Sequence, residues 1–292
     1  MDFNQFRQNL ESQHYLTIDP NLIIQSYLFV HDMTDKQRGL SALLLDGPPG
    51  TGKSYLAEVL AHVLHAERIV FQFVPGTRRE DLLYDLDLSQ VILGMAGKTT
   101  PESFQDLTSD GVLLHAARAS QDHLVVLHLD EMDKASEKID AFLLEFLQEG
   151  LLNVPHLGTI QAKRENLLVI MTKNDQRMIS APLLRRVRSV MIGYPRADIE
   201  ISIITHAVPR IDHARTSALV TLANKLRQHA DTLMHVPSTP ELIRAAHDIL
   251  NAPPELVGHV VLSCLIRYPD DRKFLKETIQ ELAGTFKKAG AA

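Results

Sequence analysis

The stretch LLLDGPPGTGKS, residues 43–54, sets an apolar run against a turn of glycines and prolines that ends in a lysine and a serine. Gly47, Gly52, Lys53 and Ser54 satisfy the G-x-x-x-x-G-K-[ST] pattern, and it lies where a strand would end and a helix begin. The chemistry behind that pattern is specific. Backbone N–H groups can converge on phosphate oxygens only where Cβ atoms are missing or held back, which glycine and fixed-φ proline achieve at Gly47, Pro48, Pro49, Gly50 and Gly52, with Thr51 the remaining member of the loop. The helix opened by Lys53, Ser54 and Tyr55 adds partial positive charge at its N-terminus. Lys53 is expected to reach the β and γ phosphates, and the Ser54 hydroxyl to ligate Mg²⁺.

Outward from this loop, apolar runs bounded by turn residues predict strands at 42–46, 68–74, 123–130, 167–172 and 189–193. Helical patterns fall between them, from Ser54, from Asp110, and in KIDAFLLEFLQEG ending at Gly150. Short buried strands alternating with helices predict an α/β fold with a five-stranded parallel sheet covered on both faces. Beyond GYPRAD (193–198) the strand patterns stop. Four or five helices are expected there, among them 199–207, 214–232, 239–250 and 272–288. The expected division is a leader at 1–40, a nucleotide-binding domain at 41–195 and a small α-helical domain at 196–292.

The second chemical feature is VVLHLDEMDKA (125–135), a buried strand pattern that ends in two adjacent carboxylates. Neighbouring residues at a strand end point in different directions, so Asp130 can serve the Mg²⁺ shell while Glu131 polarises an attacking water. Taken alone, the same residues could merely begin a turn and cap a helix.

Bulk properties agree with an ordinary globular chain of 292 residues, 45% apolar and 23% charged. The net charge of −6 argues against a general nucleic-acid surface, which needs surplus cations. No apolar run approaches the ~18 residues that span a bilayer, and no signal-peptide pattern is present. Cys264 is the single cysteine, so the expected compartment is the cytoplasm. His62 and His65 could share a helix face, yet nothing nearby completes a metal-ligand set.

With these residues in view, the chain resembles the AAA+ ATPases and, within them, the MoxR-like group. The likeness rests on LLLDGPPGTGKSYLAEVLA, VFQFVPGTRREDLLYDLDLSQVI (70–92), LHLDEMDKASEKIDAFLLEFLQEG and LLVIMTKNDQRMISAPLLRRV (167–187). It implies a P-loop AAA+ core followed by a helical lid, ATP as substrate with Mg²⁺, and assembly into a ring, a hexamer by resemblance. Asn174 matches the sensor 1 residue that orients the hydrolytic water. Arg186 matches the arginine finger that reaches into the neighbouring subunit, with Arg185 in reserve. Relatives often carry a sensor 2 arginine directly after a Ser-Pro or Thr-Pro. Here Glu241 stands at that point and Arg244, three residues on, is the candidate. The sole Asn-Lys pair, Asn224 and Lys225, is followed by Leu226 and Arg227, so the guanine-specifying Asn-Lys-x-Asp motif is missing and ATP is favoured over GTP.

The resemblance further implies pore-side elements in the insertion at 91–111. Arg78, Arg79 and Tyr84 either face a central channel or form an exposed loop. The function expected is remodelling or maturation of a partner protein, with a von Willebrand factor A domain protein as an implied partner. Two rivals stand beside it: a DNA-associated motor of the McrB-like branch, disfavoured by the acidic charge, and a scaffold that binds ATP without useful turnover.

Overall fold

The computed structural model describes residues 1–13, 19–34, 39–86, 107–155, 157–174 and 176–274, with positions 89, 92, 93 and 96 besides. These residues fall into two compact units, 1–13, 19–48 and 52–192 in the first, 49–51 and 193–274 in the second.

In the first unit, helices α1 (Phe3–Ser12) and α2 (Pro20–His31) precede strand β1 (Ser41–Asp46) and helix α3 (Lys53–Val63). Next come β2 (Glu67–Gln72), α4 (Arg79–Leu83), β3 (Tyr84–Leu86), β4 (Thr108–Asp110), α5 (Val112–Ala119) and β5 (Val125–Asp130). A 3-10 turn at Met132–Lys134 leads to α6 (Glu137–Glu149), the hairpin β6 (Leu151–Val154) and β7 (Gly158–Gln161), β8 (Leu167–Lys173), α7 (Ala181–Leu184) and β9 (Arg188–Met191).

The five expected strands form one sheet in the order β2-β5-β8-β1-β9, and every pairing in it is parallel. Parallel neighbours need crossovers, and the helices that supply them cover both faces. Alternation along each strand sorts the side chains. Leu43, Leu45, Val126, Leu168 and Ile170 join one apolar cluster with α1, α2 and α3, whereas Leu44, Leu127, Leu129, Val169 and Met171 join another with α5 and α6. The register therefore decides which polar residue at a strand end faces α3.

The first forty residues, expected as a leader, fold as two helices over the described positions. Asp2 caps α1 by accepting from the Gln5 N–H at 2.8 Å, and Asp19 caps α2 by accepting from Asn21 at 2.9 Å, with Pro20 at the first helical position. Phe6, Leu10, Leu22 and Phe29 are buried in the α3-side cluster. The apolar spacing that buries them is present in the sequence, and an aspartate cap starts each helix. Two short antiparallel pairs also escaped the sequence pattern, β3 with β4 and β6 with β7. Most of the 91–111 insertion lies outside the described residues.

The second unit is helical: α8 (Ala197–Ala207), α9 (His213–Arg227), α10 (Thr239–Asn251), α11 (Val257–Leu265) and α12 (Pro269–Phe274). Its core gathers Ile204, Leu219, Leu226, Leu242, Ile249 and Val261. Arg227 and Glu200 form a buried pair at 2.7 Å, and Tyr194 stacks under the Arg227 guanidinium at 4.0 Å. The expected helix at 272–288 lies outside the described residues past position 274.

Candidate nucleotide site

β1 runs fully buried into Asp46, and the chain then turns at Gly47 and re-enters as α3 at Lys53. Gly47 has φ +149°, and a Cβ there would lie 2.0 Å from the carbonyl oxygen of Ile192. That carbonyl is fixed, because the Ile192 N–H donates to Asp46 at 2.7 Å. Gly52, at φ +91°, sits at the N-cap of α3 with open space where a side chain would project. This is a cradle in which a Cβ would intrude, leading straight into a helix N-terminus, and it suits a polyphosphate. Pro48, Pro49, Gly50 and Thr51 form the turn between β1 and α3.

Lys53 is buried, and its Nζ donates to the carbonyls of Gly47 and Pro48 at 2.7 Å each. Burial lowers its pKa, against the opposing pull of Asp130, Asp46, Asp133 and Glu131. The ammonium is thus held by the loop's own carbonyls, within electrostatic reach of these four carboxylates.

Asp130 ends β5 on the α3 face. Its oxygens accept from the Ser54 hydroxyl at 3.2 and 3.1 Å, and its Oδ1 accepts a short bond from the Thr172 hydroxyl. Thr172 also accepts from the Glu131 N–H at 3.1 Å, so β8, lying between β1 and β5, ties the two carboxylate residues together. On the opposite face of the sheet, Lys173 at the end of β8 pairs with Asp46 at the end of β1 at 2.9 Å. His128, two residues before Asp130 and fully buried, is lowered to about 4 by burial, an effect that Asp130 opposes and Arg68 reinforces. It is therefore neutral beside Asp130.

Glu131 takes a left-handed backbone, φ 57° and ψ 48°, a conformation that costs a non-glycine residue roughly 1–3 kcal/mol and tends to occur at functional sites. Its side chain has partners other than those of Asp130. Its Oε2 accepts from Gln72 at 2.7 Å and from Lys134 at 2.6 Å. Neither partner was singled out from sequence. Gln72 is a polar residue closing a strand, a signal that gains meaning only once β2 is known to pair with β5 at Gln72 opposite Asp130.

Asn174 follows β8 directly. Its N–H donates to Asp133 at 3.1 Å, and its carboxamide makes no hydrogen bond within the described residues. Arg185 is exposed just beyond α7. Arg186 is half-buried, with its guanidinium against Gly39 and its Nε buried without a partner among the described residues. Arg244 lies exposed on α10 in the second unit. Glu241 completes a capping box with Ser238 and also meets His235 and Arg267, at 2.9 and 2.5 Å. Arg78 pairs with Asp81 at 3.0 Å, and Arg79 lies over the Phe142 ring at 4.6 Å, lining a cavity of about 500 Å³; Tyr84 opens β3.

Ser54 and Asp130 offer hard oxygen donors side by side, and no group of three or more metal-binding side chains occurs among the described residues. That set fits Mg²⁺, which keeps several waters and shares its remaining positions with phosphate oxygens. No described helix is long and apolar enough to cross a membrane.

A glycine-lined cradle at the end of one strand, with a carboxylate pair two strands away at the same edge, defines a P-loop ATPase core of the AAA+ class. The pattern of the AAA domain family, dynein-related subfamily, matches residues 42–190, and the chain belongs to that family. Among curated proteins it is similar to the Lon protease of Chlamydia trachomatis, 27% identical over 216 residues, 72% of this chain and 24% of that protein. It is also similar to the Lon protease of Leptospira interrogans, 27% identical over 201 residues, 66% of this chain and 22% of that protein. The chaperone protein ClpB of Aquifex aeolicus is 27% identical over 158 residues, 52% of this chain and 14% of that protein. The chain thus spans no more than about a quarter of the length of these relatives. The AAA+ part of the resemblance is thereby established.

Proposed function

We propose that the protein is a MoxR-like ring ATPase that hydrolyses ATP with Mg²⁺ in the cytoplasm to remodel, mature or assemble a partner protein. The observation that carries this reading is the division of labour at the end of β5. Asp130 is held toward Ser54 by Thr172, whereas Glu131, on a left-handed backbone, bonds to Gln72 and Lys134.

In this reading, the loop N–H groups between Gly47 and Ser54, those of the non-proline residues, hold the β and γ phosphates, and Lys53 exchanges its two carbonyl acceptors for phosphate oxygens. Tyr55 follows Ser54 in the first turn of α3. Ser54 and Asp130 hold the Mg²⁺, which when bound neutralises phosphate charge and helps align the in-line displacement. Glu131 accepts the proton of the attacking water, and the amide of Asn174, without a hydrogen bond among the described residues, orients that water. Arg186, or the more exposed Arg185, stabilises the charge developing in the nucleotide of a neighbouring subunit, which makes activity depend on a ring, six-membered by resemblance. Arg244, on the second unit, is the sensor 2 candidate in this reading.

Similarity to chaperone and protease ATPases favours a protein substrate over nucleic acid, as does the acidic net charge of −6. A von Willebrand factor A domain protein remains the partner that the MoxR-like resemblance implies. The deciding experiment uses Glu131→Gln. Hydrolysis should fall by about 10²–10⁴ with ATP affinity retained, and the ATP-locked ring should capture a partner protein from a lysate. Hydrolysis at the wild-type rate would remove Glu131 from the mechanism, and stimulation of the wild type by DNA but by no captured protein would favour the McrB-like alternative.

A further inference from the structure

We propose that Arg177, Asp140 and Asp133 are positioning residues for hydrolysis. They fix the segment carrying Asn174 and the arginines 185 and 186 to the loop that carries Glu131. The proposal rests on the reading above in that it takes Asn174 and Glu131 to act on the water.

Four segments meet at these side chains. Asp140, in the first turn of α6, is completely buried. It accepts from Arg177 Nη1 at 2.9 Å, from Arg177 Nη2 at 2.8 Å and from the Ser180 N–H at 2.9 Å. Arg177 Nη2 also donates to the carbonyl of Met132, the residue after Glu131, at 3.2 Å, and Nη1 to the carbonyl of Met178 at 3.0 Å. Asp133, 5% exposed, accepts from the N–H groups of Asn174 and Gln176 at 3.1 and 3.3 Å. Ser180 is the N-cap of α7, which runs directly into Arg185 and Arg186. The chain of contacts therefore runs from Glu131 through Met132 and Asp133 to Asn174, and through Arg177 and Asp140 to the start of α7.

Stability alone accounts poorly for such a group. Burying a carboxylate and a guanidinium costs desolvation that their attraction only about repays, and well-packed apolar pairs often serve as well or better. What a bidentate arginine–carboxylate fork supplies is direction, because its two parallel bonds fix the relative orientation of the groups they join. Here both partners bond further to backbone, so the fork orients main chain on either side of the site.

The test compares the full-length protein with the paired apolar variant Arg177→Met/Asp140→Leu, and with Arg177→Lys, which keeps the charge but loses the fork. The expected result is that the paired variant retains its melting temperature and its affinity for a fluorescent ATP analogue while kcat falls about 10- to 100-fold. Hydrolysis at the wild-type kcat in that variant overturns the proposal. If the paired variant fails to fold, the decision passes to Arg177→Lys combined with Asn174→Ala. Should Arg177 act through Asn174, the double variant is no slower than Asn174→Ala alone, whereas losses that simply multiply overturn the proposal. Asn174→Ala and Glu131→Gln measured singly separate the two readings. If neither lowers kcat, the catalytic assignment fails; if both do and the fork variants behave as wild type, only the positioning role fails.

Discussion

Gln72 Nε2 donates to Glu131 Oε2 at 2.7 Å across the ends of the paired strands β2 and β5, joining residues 59 apart in sequence. The contact fixes one oxygen of the carboxylate proposed to activate water. Replacing Gln72 with Leu should leave ATP affinity intact and lower kcat about tenfold, because a catalytic group released from its orientation loses part of its advantage. Gln72→Glu should lower kcat further, since like charges then face each other. A coupled ATPase assay decides this, and a wild-type kcat for Gln72→Leu would mean that Lys134 alone suffices.

The two loop glycines should respond differently to alanine. At Gly47 an added Cβ meets the Ile192 carbonyl at 2.0 Å on top of an unfavourable φ, whereas at Gly52 it meets nothing. Gly52→Ala should therefore cost only the backbone penalty of roughly 1–2 kcal/mol, and Gly47→Ala distinctly more. Urea unfolding in the absence of nucleotide measures both, and equal losses would contradict the steric account.

Glu241 predicts an acid-sensitive second unit. Burial by itself would raise its carboxyl, but hydrogen bonds from the Ser238 N–H and hydroxyl, with the charges of His235 and Arg267, outweigh that and hold the pKa below its ordinary 4.5. A carboxyl depressed in the folded state stabilises above the unfolded value, and that contribution disappears as pH falls through the folded one. Glu241→Gln should accordingly be less stable than wild type at pH 7, and the difference should shrink on acidification below about 4.5. Thermal melts at several pH values check it; a difference that grows on acidification has the wrong sign.

Subunit mixing tests the proposal that an arginine acts in trans. Neither Arg186→Ala nor Lys53→Ala should hydrolyse ATP appreciably alone, yet mixed rings should regain part of the activity, because a subunit with an intact phosphate loop can sit beside one with an intact arginine. Assembly verified by light scattering without any recovery argues against Arg186. Repeating the mixture with Arg185→Ala distinguishes the half-buried arginine from its exposed neighbour.

The sequence alone determined those parts of the protein whose chemistry is local. Gly47 to Ser54 form a contiguous motif, the five strands are continuous apolar runs, and Asp130 with Glu131 closes one of them. Each of these can be read without knowing what lies beside it. Even the oddity at Glu241 resolves locally, as the third position of a capping box opened by Ser238. What only the tertiary structure decided depends on strand order. Because β8 lies between β1 and β5, Thr172 reaches Asp130 from 42 residues away, and because β2 flanks β5, Gln72 reaches Glu131. The pair of Arg177 and Asp140 likewise joins residues 37 apart that no periodicity connects. Side chains that act directly on phosphate are confined to short motifs by the geometry of one loop, while those that hold them in place are recruited from wherever the parallel sheet brings strand ends together.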